Sequence, residues 1–524
     1  WLSVCSPAEA QAKGDANRSG RVEVGDFALV GQYWLTNYVA PPVCGIIPKP
    51  QTTALGDGTF TIASDTRILY EQGDTDLQET AEYLVQMINT PTGYTLTAQA
   101  STKTLPGTNE ILLTSAGSDA ALGSEGYELR VQADSVLIRA PEGAGAFYGV
   151  QSLRWLLPHQ IERDEVVTGT DWTVPCISIQ DKPRFQWRGM HLDESRHFFG
   201  IDYVKKYIDY LAMYKMNILH WHIDDDQGWR IEIPAFPLLT ELGACRSGCD
   251  TVSPYCGYYT QAQVHEIVEY ARRRYIQIVP EIEMPGHTQA KLEAYPEYSC
   301  TGGPFGDVCA DWSGRQYDNV FCPTEETFTF LEDLLIEIMA LFPCEYIHLG
   351  GDEVKKQAWE ESSVAQQVMA DNGLANENEL QTWFMSRIFD FLVAHGKKPI
   401  GWNEVINGGI PNNAVIMSWQ GLSGGITAAQ NGHDAIMTPQ SHTYFSQSYA
   451  KTPVSQVYSF EPIPVELTEQ QAQHVLGAQG CIWTEGLVTP VAVDFKALPR
   501  MTALAPSGTR SNGSPPHRTG WTRR

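Results

Sequence analysis

"YIHLGGDEV", residues 346–354, runs from four apolar or β-prone residues through two glycines into adjacent carboxylates, Asp352 and Glu353. Alone, such a pair fits a strand entering a helix N-terminus, where carboxylates complement the helix dipole. The pattern, however, recurs. After "QDKPRFQW", strand-like runs ending in polar or aromatic residues appear eight times: "RGMHLDES", "MNILHWHIDDD", "IQIVPEIEMPGH", "EYIHLGGDE", "KPIGWNE", "AVIMSWQ", "AIMTPQSHTYF" and "LGAQGCIWTE". Helical segments such as "IDYVKKYIDYLAMYK", "TQAQVHEIVEYARRRY" and "ENELQTWFMSRIFDFLVAHG" lie between most of them. Eight strand–helix units predict an α/β chain with a (β/α)8 barrel, whose active site is built from the strand C-terminal ends. Asp352 and Glu353 then follow the fourth strand, at the functional rim. The helix-terminus explanation would have to hold eight times over.

Composition narrows the function. The 524 residues exceed one ordinary core, so two or three domains are expected. A net charge of −26 argues against nucleic acid and anionic membranes as partners. Fourteen Trp and 23 Tyr suit a neutral ligand with apolar faces, and sugars are one such class. No apolar run is long enough to span a bilayer. Eleven cysteines, several in loop-like segments (Cys245, Cys249 and Cys256; Cys300, Cys309 and Cys322), predict disulfides and a secreted or cell-surface/periplasmic protein.

Ahead of the barrel the chain divides further. In residues 1–40, Asp15, Asn17, Ser19, Gly20, Glu23 and Asp26 occupy positions 1, 3, 5, 6, 9 and 12 of an EF-hand-type loop. Alternating oxygen ligands and the glycine turn suit Ca2+. Trp34-Leu35 echoes Trp1-Leu2, as in a duplicated motif with one copy incomplete. The segment resembles a partial dockerin, which implies a cohesin-type partner. Residues 41–50 read as a Pro-rich linker. Residues 51–180 alternate short β-prone runs ("TFTIA", "RILY", "EILLT", "SVLIRA") with helical ones ("DLQETAEYLVQMINT", "GAFYGVQSLRWLL") and predict a small α+β domain without catalytic chemistry. The barrel is assigned to 181–505 and an atypical tail to 506–524.

Paired carboxylates are the usual apparatus for cleaving a glycosidic bond, about 5 Å apart across the anomeric carbon when one is the nucleophile. Neighbours in sequence have Cα atoms only ~3.8 Å apart and cannot easily straddle a sugar ring. Glu353 and Asp352 therefore act on one side of the problem, and the nucleophile comes from another residue, from water or from the substrate.

The motifs "RGMHLDESRHFF", "YKMNILHWHIDDDQGWRIEI", "PEIEMPGHTQA", "HLGGDEV", "GWNEV" and "GCIWTE" stand in the order found in glycoside hydrolase family 20, the β-N-acetylhexosaminidases, which the chain resembles from about Ile46 to Ala505. The resemblance implies retaining, substrate-assisted hydrolysis of terminal GlcNAc or GalNAc from glycans or chitooligosaccharides, with no cofactor for catalysis. The substrate's 2-acetamido oxygen would attack the anomeric carbon and form an oxazolinium. Glu353 would be general acid and then base. Asp352 would orient the acetamido group and stabilise its charge. Carboxylates so close, walled by tryptophans, should have a raised pKa. By the same resemblance Arg196 binds sugar hydroxyls, and Asp225 with His287 holds the acid. Trp402, Trp419 and Trp483 wall the pocket, Tyr444 donates to the acetamido carbonyl, and Glu485 accepts from distal hydroxyls.

Two departures stand out. The family commonly has an acidic residue two positions after the tyrosine, where this chain has Ser446, which puts epimer preference in question. After "ALPRMTALA" the family continues its final helix, whereas here an arginine-rich tail without acids follows. Two rival readings exist. His220 and His222 form an H-x-H that, with His287, His348 and His442, suggests a metal-dependent barrel hydrolase. The altered Ser446 and the tail suggest a non-catalytic sugar-binding protein.

Overall fold

The computed structural model describes residues 45–246, 255–306 and 319–508. The calcium-loop residues Asp15, Asn17, Ser19, Glu23 and Asp26, together with Cys249, Cys309 and the tail beyond 508, lie outside them.

The first unit is a seven-stranded sheet. Its strands are β1 (Thr52–Thr61), β2 (Arg67–Glu71), β3 (Ala98–Ser101), β4 (Glu110–Thr114), β5 (Tyr127–Val131), β6 (Ser135–Arg139) and β7 (Thr173–Asp181), in the spatial order β1-β7-β5-β6-β4-β2-β3. Two helices pack on it, α1 (Thr75–Thr92) and α2 (Gly143–Leu156). Helix α1 starts where the Asp74 side chain accepts from the Leu77 N–H and ends at Gly93, φ 70°. Its buried Leu77, Ala81, Leu84 and Ile88 form one stripe at helical spacing. Helix α2 lies so close to the preceding loop that a Cβ on Gly145 would sit 2.1 Å from the Gly126 carbonyl oxygen.

The second unit is the expected barrel. Eight parallel strands close on themselves: β8 (Trp187–Asp193), β9 (Ile218–His222), β10 (Gln277–Glu281), β11 (Tyr346–His348), β12 (Lys398–Trp402), β13 (Val415–Ser418), β14 (Ala435–Met437) and β15 (Val475–Gly480). All eight strand-like runs named from the sequence are barrel strands. They are nearly continuous apolar runs because helices such as α3 (Ile201–Met213), α4 (Gln261–Arg272), α5 (Glu325–Leu341) and α6 (Glu377–Ala394), which lie between them in the chain, and α7 (Pro490–Leu504), which follows the last, shield their outer faces. Trp187, Ile218, Val279, Ile400, Met417 and Ile436 fill a separate cluster inside the barrel.

The sheet is fixed to the barrel by buried polar contacts. The Lys215 ammonium, 4% exposed, donates to the Tyr127 and Ser152 hydroxyls at 2.7 Å each and lies 3.3 Å from Asp181. The Trp155 indole donates to the Met213 carbonyl at 3.2 Å. These contacts lie just before the start of β9, on the barrel's base.

Candidate active site

Strand β11 ends at His348, and the chain turns through Gly350 (φ 63°) and Gly351 (φ 88°) before Asp352. Both glycines are needed for space as well as conformation. A Cβ on Gly350 would lie 1.7 Å from Glu283 Oε2, and one on Gly351 2.5 Å from Val405 Cγ1. Glu353 follows at φ 47°, a left-handed conformation that is unfavourable by roughly 1–2 kcal/mol for a residue with a Cβ. The turn separates the neighbouring carboxyls. The Asp352 side chain is 14% exposed and faces inward, while that of Glu353 is 53% exposed and faces the opening.

His287, also left-handed at φ 48°, stands between them. Its Nε2 is 3.6 Å from Asp352 Oδ2 and 3.8 Å from Glu353 Oε2. Its Nδ1 is 3.2 Å from Asp225 Oδ1 and 3.4 Å from Asp226 Oδ2. Burial opposes the imidazolium, but the charges of Asp225 and Asp352 prevail and hold its pKa well above the usual histidine value. Burial likewise opposes ionised Asp225, yet Arg196 and His287 keep its carboxyl well below the usual range. For Asp352 burial prevails over His287, with Glu281 and Glu353 adding repulsion, and its pKa is pushed up to about 6.

Arg196 is held on several sides. Nη2 is 2.6 Å from Asp225 Oδ2, Nη1 is 3.2 Å from Asp193 Oδ2, and Nε donates to Gln227 Oε1 at 2.8 Å. Glu485 Oε1 lies 3.8 Å away, and the guanidinium is 5.2 Å from the centre of the Trp483 ring. The fork is rigid and ready for hydroxyl groups.

Beneath this layer Glu281, at the end of β10, gathers groups from four other strands. Trp402 Nε1 donates to Oε1 at 2.7 Å, His348 Nδ1 is 2.9 Å from Oε1, His220 Nε2 is 3.1 Å from Oε2, and His191 Nε2 is 3.8 Å from Oε2. His222 bridges Glu281 and Asp225, through Nδ1 to the first and Nε2 to the second at 2.9 Å. With a carboxylate on each nitrogen its pKa rises to about 10 despite burial. His222 is thus held between two carboxylates, and His220 meets Glu281 through Nε2; the sets His191, His220, Glu281 and His222, Asp225, Glu283 each bring three potential ligand atoms within 4.8 Å of one another. His442 stands apart, against Phe460 and Ser441.

Aromatic groups gather at the same strand ends. Trp419 and Tyr444 lie nearly parallel at 5.9 Å, Tyr444 and Trp483 are 6.0 Å apart, and Trp483 and Trp402 are 6.0 Å apart. Tyr444 sits on a loop that Arg500 of α7 grips by donating to the carbonyls of Phe445, Gln447 and Thr452. An inner carboxyl, an outer carboxyl, an arginine fork and a group of aromatic rings thus meet at the strand ends.

The family model "Glycosyl hydrolase family 20, catalytic domain" matches residues 185–508, and "Glycosyl hydrolase family 20, domain 2" matches 43–182. The chain belongs to glycoside hydrolase family 20. A β-hexosaminidase of Porphyromonas gingivalis is 39% identical over 475 residues, covering 88% of this chain and 60% of that protein. Among solved structures, the family 20 β-N-acetylhexosaminidase of Streptomyces coelicolor A3(2) aligns with a TM-score of 0.78 and 33% identity, covering 90% of this chain and 92% of that one. The Streptomyces plicatus N-acetyl-β-hexosaminidase in complex with Thio-NAglucal aligns with a TM-score of 0.77 and 34% identity, covering 91% and 93%. The chain spans about three fifths of the length of the first curated relatives it matches (60%, 59% and 61%).

For this family 20 chain the structure brings Arg196, Asp225, His287, Asp352, Glu353, Trp402, Trp419, Tyr444, Trp483 and Glu485 to one rim. His287 touches Asp352 as closely as Glu353, so it serves the pair and not the outer carboxyl alone. Sequence reasoning did not single out Glu281, Glu283 or Glu404. Glu283, 1% exposed, lies under Gly350 beside Asp352, whose charge helps burial hold its carboxyl well above the usual range. The signal available was their place at strand ends in "PEIEM" and "GWNE". Of the cysteines expected to form disulfides, Cys245 and Cys256 are bonded to each other, while Cys300 and Cys322 form no disulfide among the described residues.

Proposed function

We propose that the chain is a retaining exo-β-N-acetylhexosaminidase that removes terminal GlcNAc or GalNAc by substrate-assisted catalysis, the mechanism of its family. The observation that carries this reading is the split between neighbouring carboxyls, Asp352 largely buried and Glu353 half exposed, with one imidazolium between them. In the first step the 2-acetamido oxygen bonds to the anomeric carbon as the glycosidic bond breaks, and Glu353 gives its proton to the leaving oxygen. Ionised Asp352 faces the acetamido N–H and the positive charge that develops there. Water then attacks the same carbon, Glu353 takes its proton, and the oxazolinium opens, so two inversions give net retention. Trp419, Tyr444 and Trp483 confine the acetamido group, and Arg196 with Glu485 takes sugar hydroxyls.

Assays with paired aryl GlcNAc, GalNAc and glucose β-glycosides test this. Cleavage of the first two and not the third is expected. Binding without turnover would instead favour the sugar-binding alternative. Within the same proposal, the natural substrates include chitooligosaccharides, the protein acts outside the cytoplasm, and the segment holding Asp15, Asn17, Ser19, Glu23 and Asp26 binds Ca2+ to dock a cohesin-type partner. Motif spacing and cysteine usage support these last points.

A further inference from the structure

One buried carboxyl at the rim has no role in the mechanism above. Glu404, 8% exposed, lies in the single helical turn Asn403–Ile406 that follows β12. Its Oε2 accepts from Trp419 Nε1 at 2.9 Å, and its Oε1 accepts from Gln420 Nε2 at 2.9 Å. The backbone N–H of Glu353 also faces it and acts to lower its pKa. Asn403 braces the same partners. Its Oδ1 accepts from the N–H groups of Trp419 at 3.0 Å and Gln420 at 3.2 Å, and its Nδ2 donates to Gln420 Oε1 at 2.9 Å. The Trp419 indole is therefore fixed at its backbone end by Asn403 and at its ring nitrogen by Glu404.

The Glu353 side of this arrangement matters equally. A left-handed residue with a Cβ persists only where its surroundings over-determine it. Glu404 supplies an acceptor for the N–H of that residue, in a region where an unpaired buried donor is unfavourable. Burial, followed by repulsion from Asp352, pushes the Glu404 pKa up to about 8, so the protein holds a carboxyl here against an electrostatic preference.

We propose that Glu404 is a positioning residue for hydrolysis, coupling the indole wall of the acetamido recess to the backbone of the acid/base Glu353. The inference rests on the hexosaminidase reading. One side chain thereby sets both the recess that orients the nucleophilic acetamido oxygen and the aim of the proton donor. Glutamine cannot replace it. Trp419 Nε1 and Gln420 Nε2 are both donors, so the new amide nitrogen must face one of them. Gln420 cannot turn its oxygen round without breaking its bond to Asn403. Aspartate is one methylene too short to reach both donors and the Glu353 N–H together.

The test compares the wild type with E404Q, E404D, W419F and the double variant E404Q/W419F on aryl GlcNAc substrates of graded leaving-group acidity, with thermal midpoints measured alongside. Misaligning reacting groups by a fraction of an ångström to an ångström is expected to lower kcat for E404Q by about ten- to a hundredfold. The loss should grow as the leaving group becomes poorer, because proton delivery is impaired. The E404Q and W419F losses should be less than multiplicative, since both act partly through one indole. E404Q within roughly threefold of wild type, or a loss independent of leaving group and multiplicative with W419F, overturns the proposal. If the wild type cleaves none of these substrates, the hexosaminidase reading fails by itself. Calorimetry with a GlcNAc-thiazoline then decides Glu404: weaker binding by E404Q supports its role, while equal binding, or none by either protein, overturns it.

Discussion

Asp352→Asn tests the division of labour between the paired carboxyls. The substitution keeps the side chain's shape and removes the charge facing the acetamido group. Two unit charges about 4 Å apart attract by about 4 kcal/mol at an effective dielectric near 20, the regime of a partly enclosed site. The Asp352 side chain is 14% exposed, which places it in that regime. The oxazolinium charge is spread over its O–C–N unit, so only part of this is recovered at the transition state. About 3 kcal/mol, or roughly a hundredfold in kcat/KM, is the expected loss on an aryl GlcNAc substrate. A thiazoline that mimics the intermediate should weaken as an inhibitor by a similar factor. A glucoside, which has no acetamido group, should be turned over barely or not at all by either protein. The assay is kcat/KM at pH 7 on both substrates together with the thiazoline inhibition constant. Equal inhibition of both proteins, or brisk glucoside cleavage by the wild type, refutes substrate assistance and with it the role of Asp352.

Further outcomes follow from the same geometry. Glu353→Gln should remove most activity on poor leaving groups and spare activated aryl glycosides, as a graded substrate series would show; equal losses would deny it the acid role. Asp352 must be ionised to work and its pKa lies near 6, so kcat/KM should fall as pH drops through about 6, and this limb should vanish in Asp352→Asn. The folded pKa of His222, about 10, exceeds its ordinary value of 6.5, so its contribution to stability is fully present below 6.5 and lost as pH rises through 10. Thermal midpoints from pH 6 to 10 should decline accordingly. His222→Gln should unfold earlier at pH 7, by about 3–5 kcal/mol of stability, with a flatter alkaline decline.

The barrel was legible because parallel strands buried on both faces read as apolar runs, and the rim shows as the polar or aromatic residues that end them. The small sheet was less so. Strand β3, "AQAS", has no large apolar residue, and β5, "YELRV", places Glu128 and Arg130 between its buried residues. Both are strands because their neighbours pair with them, a long-range fact. The rim residues Asp352 and Glu353 could be named from their adjacency and family motif. Their division into an inner and an outer carboxyl could not, because it depends on φ at Glu353 and on Glu283 filling the space above which Gly350 turns. Glu281 and Glu404 were missed for a related reason. Their significance lies in partners from other strands, His222 and Trp402 for one, Trp419 and the Glu353 N–H for the other. The H-x-H was visible as a pair on one strand face, but whether its nitrogens meet a cation or carboxylates is decided 59 residues away at Glu281.

The grip of Arg500 on the Tyr444 loop sets a boundary for anyone trimming this protein. Arg500 lies four residues before the end of helix α7, beyond every side chain assigned to chemistry, yet it holds three carbonyls, those of Phe445, Gln447 and Thr452, in the loop that presents Tyr444. Shortening the chain to just past Leu504 leaves that clamp whole. Cutting two further turns, through Arg500, would preserve every catalytic group on paper and release the loop that carries Tyr444. The minimal active fragment is therefore defined at its far end by a structural arginine, and a deletion series should show its step there.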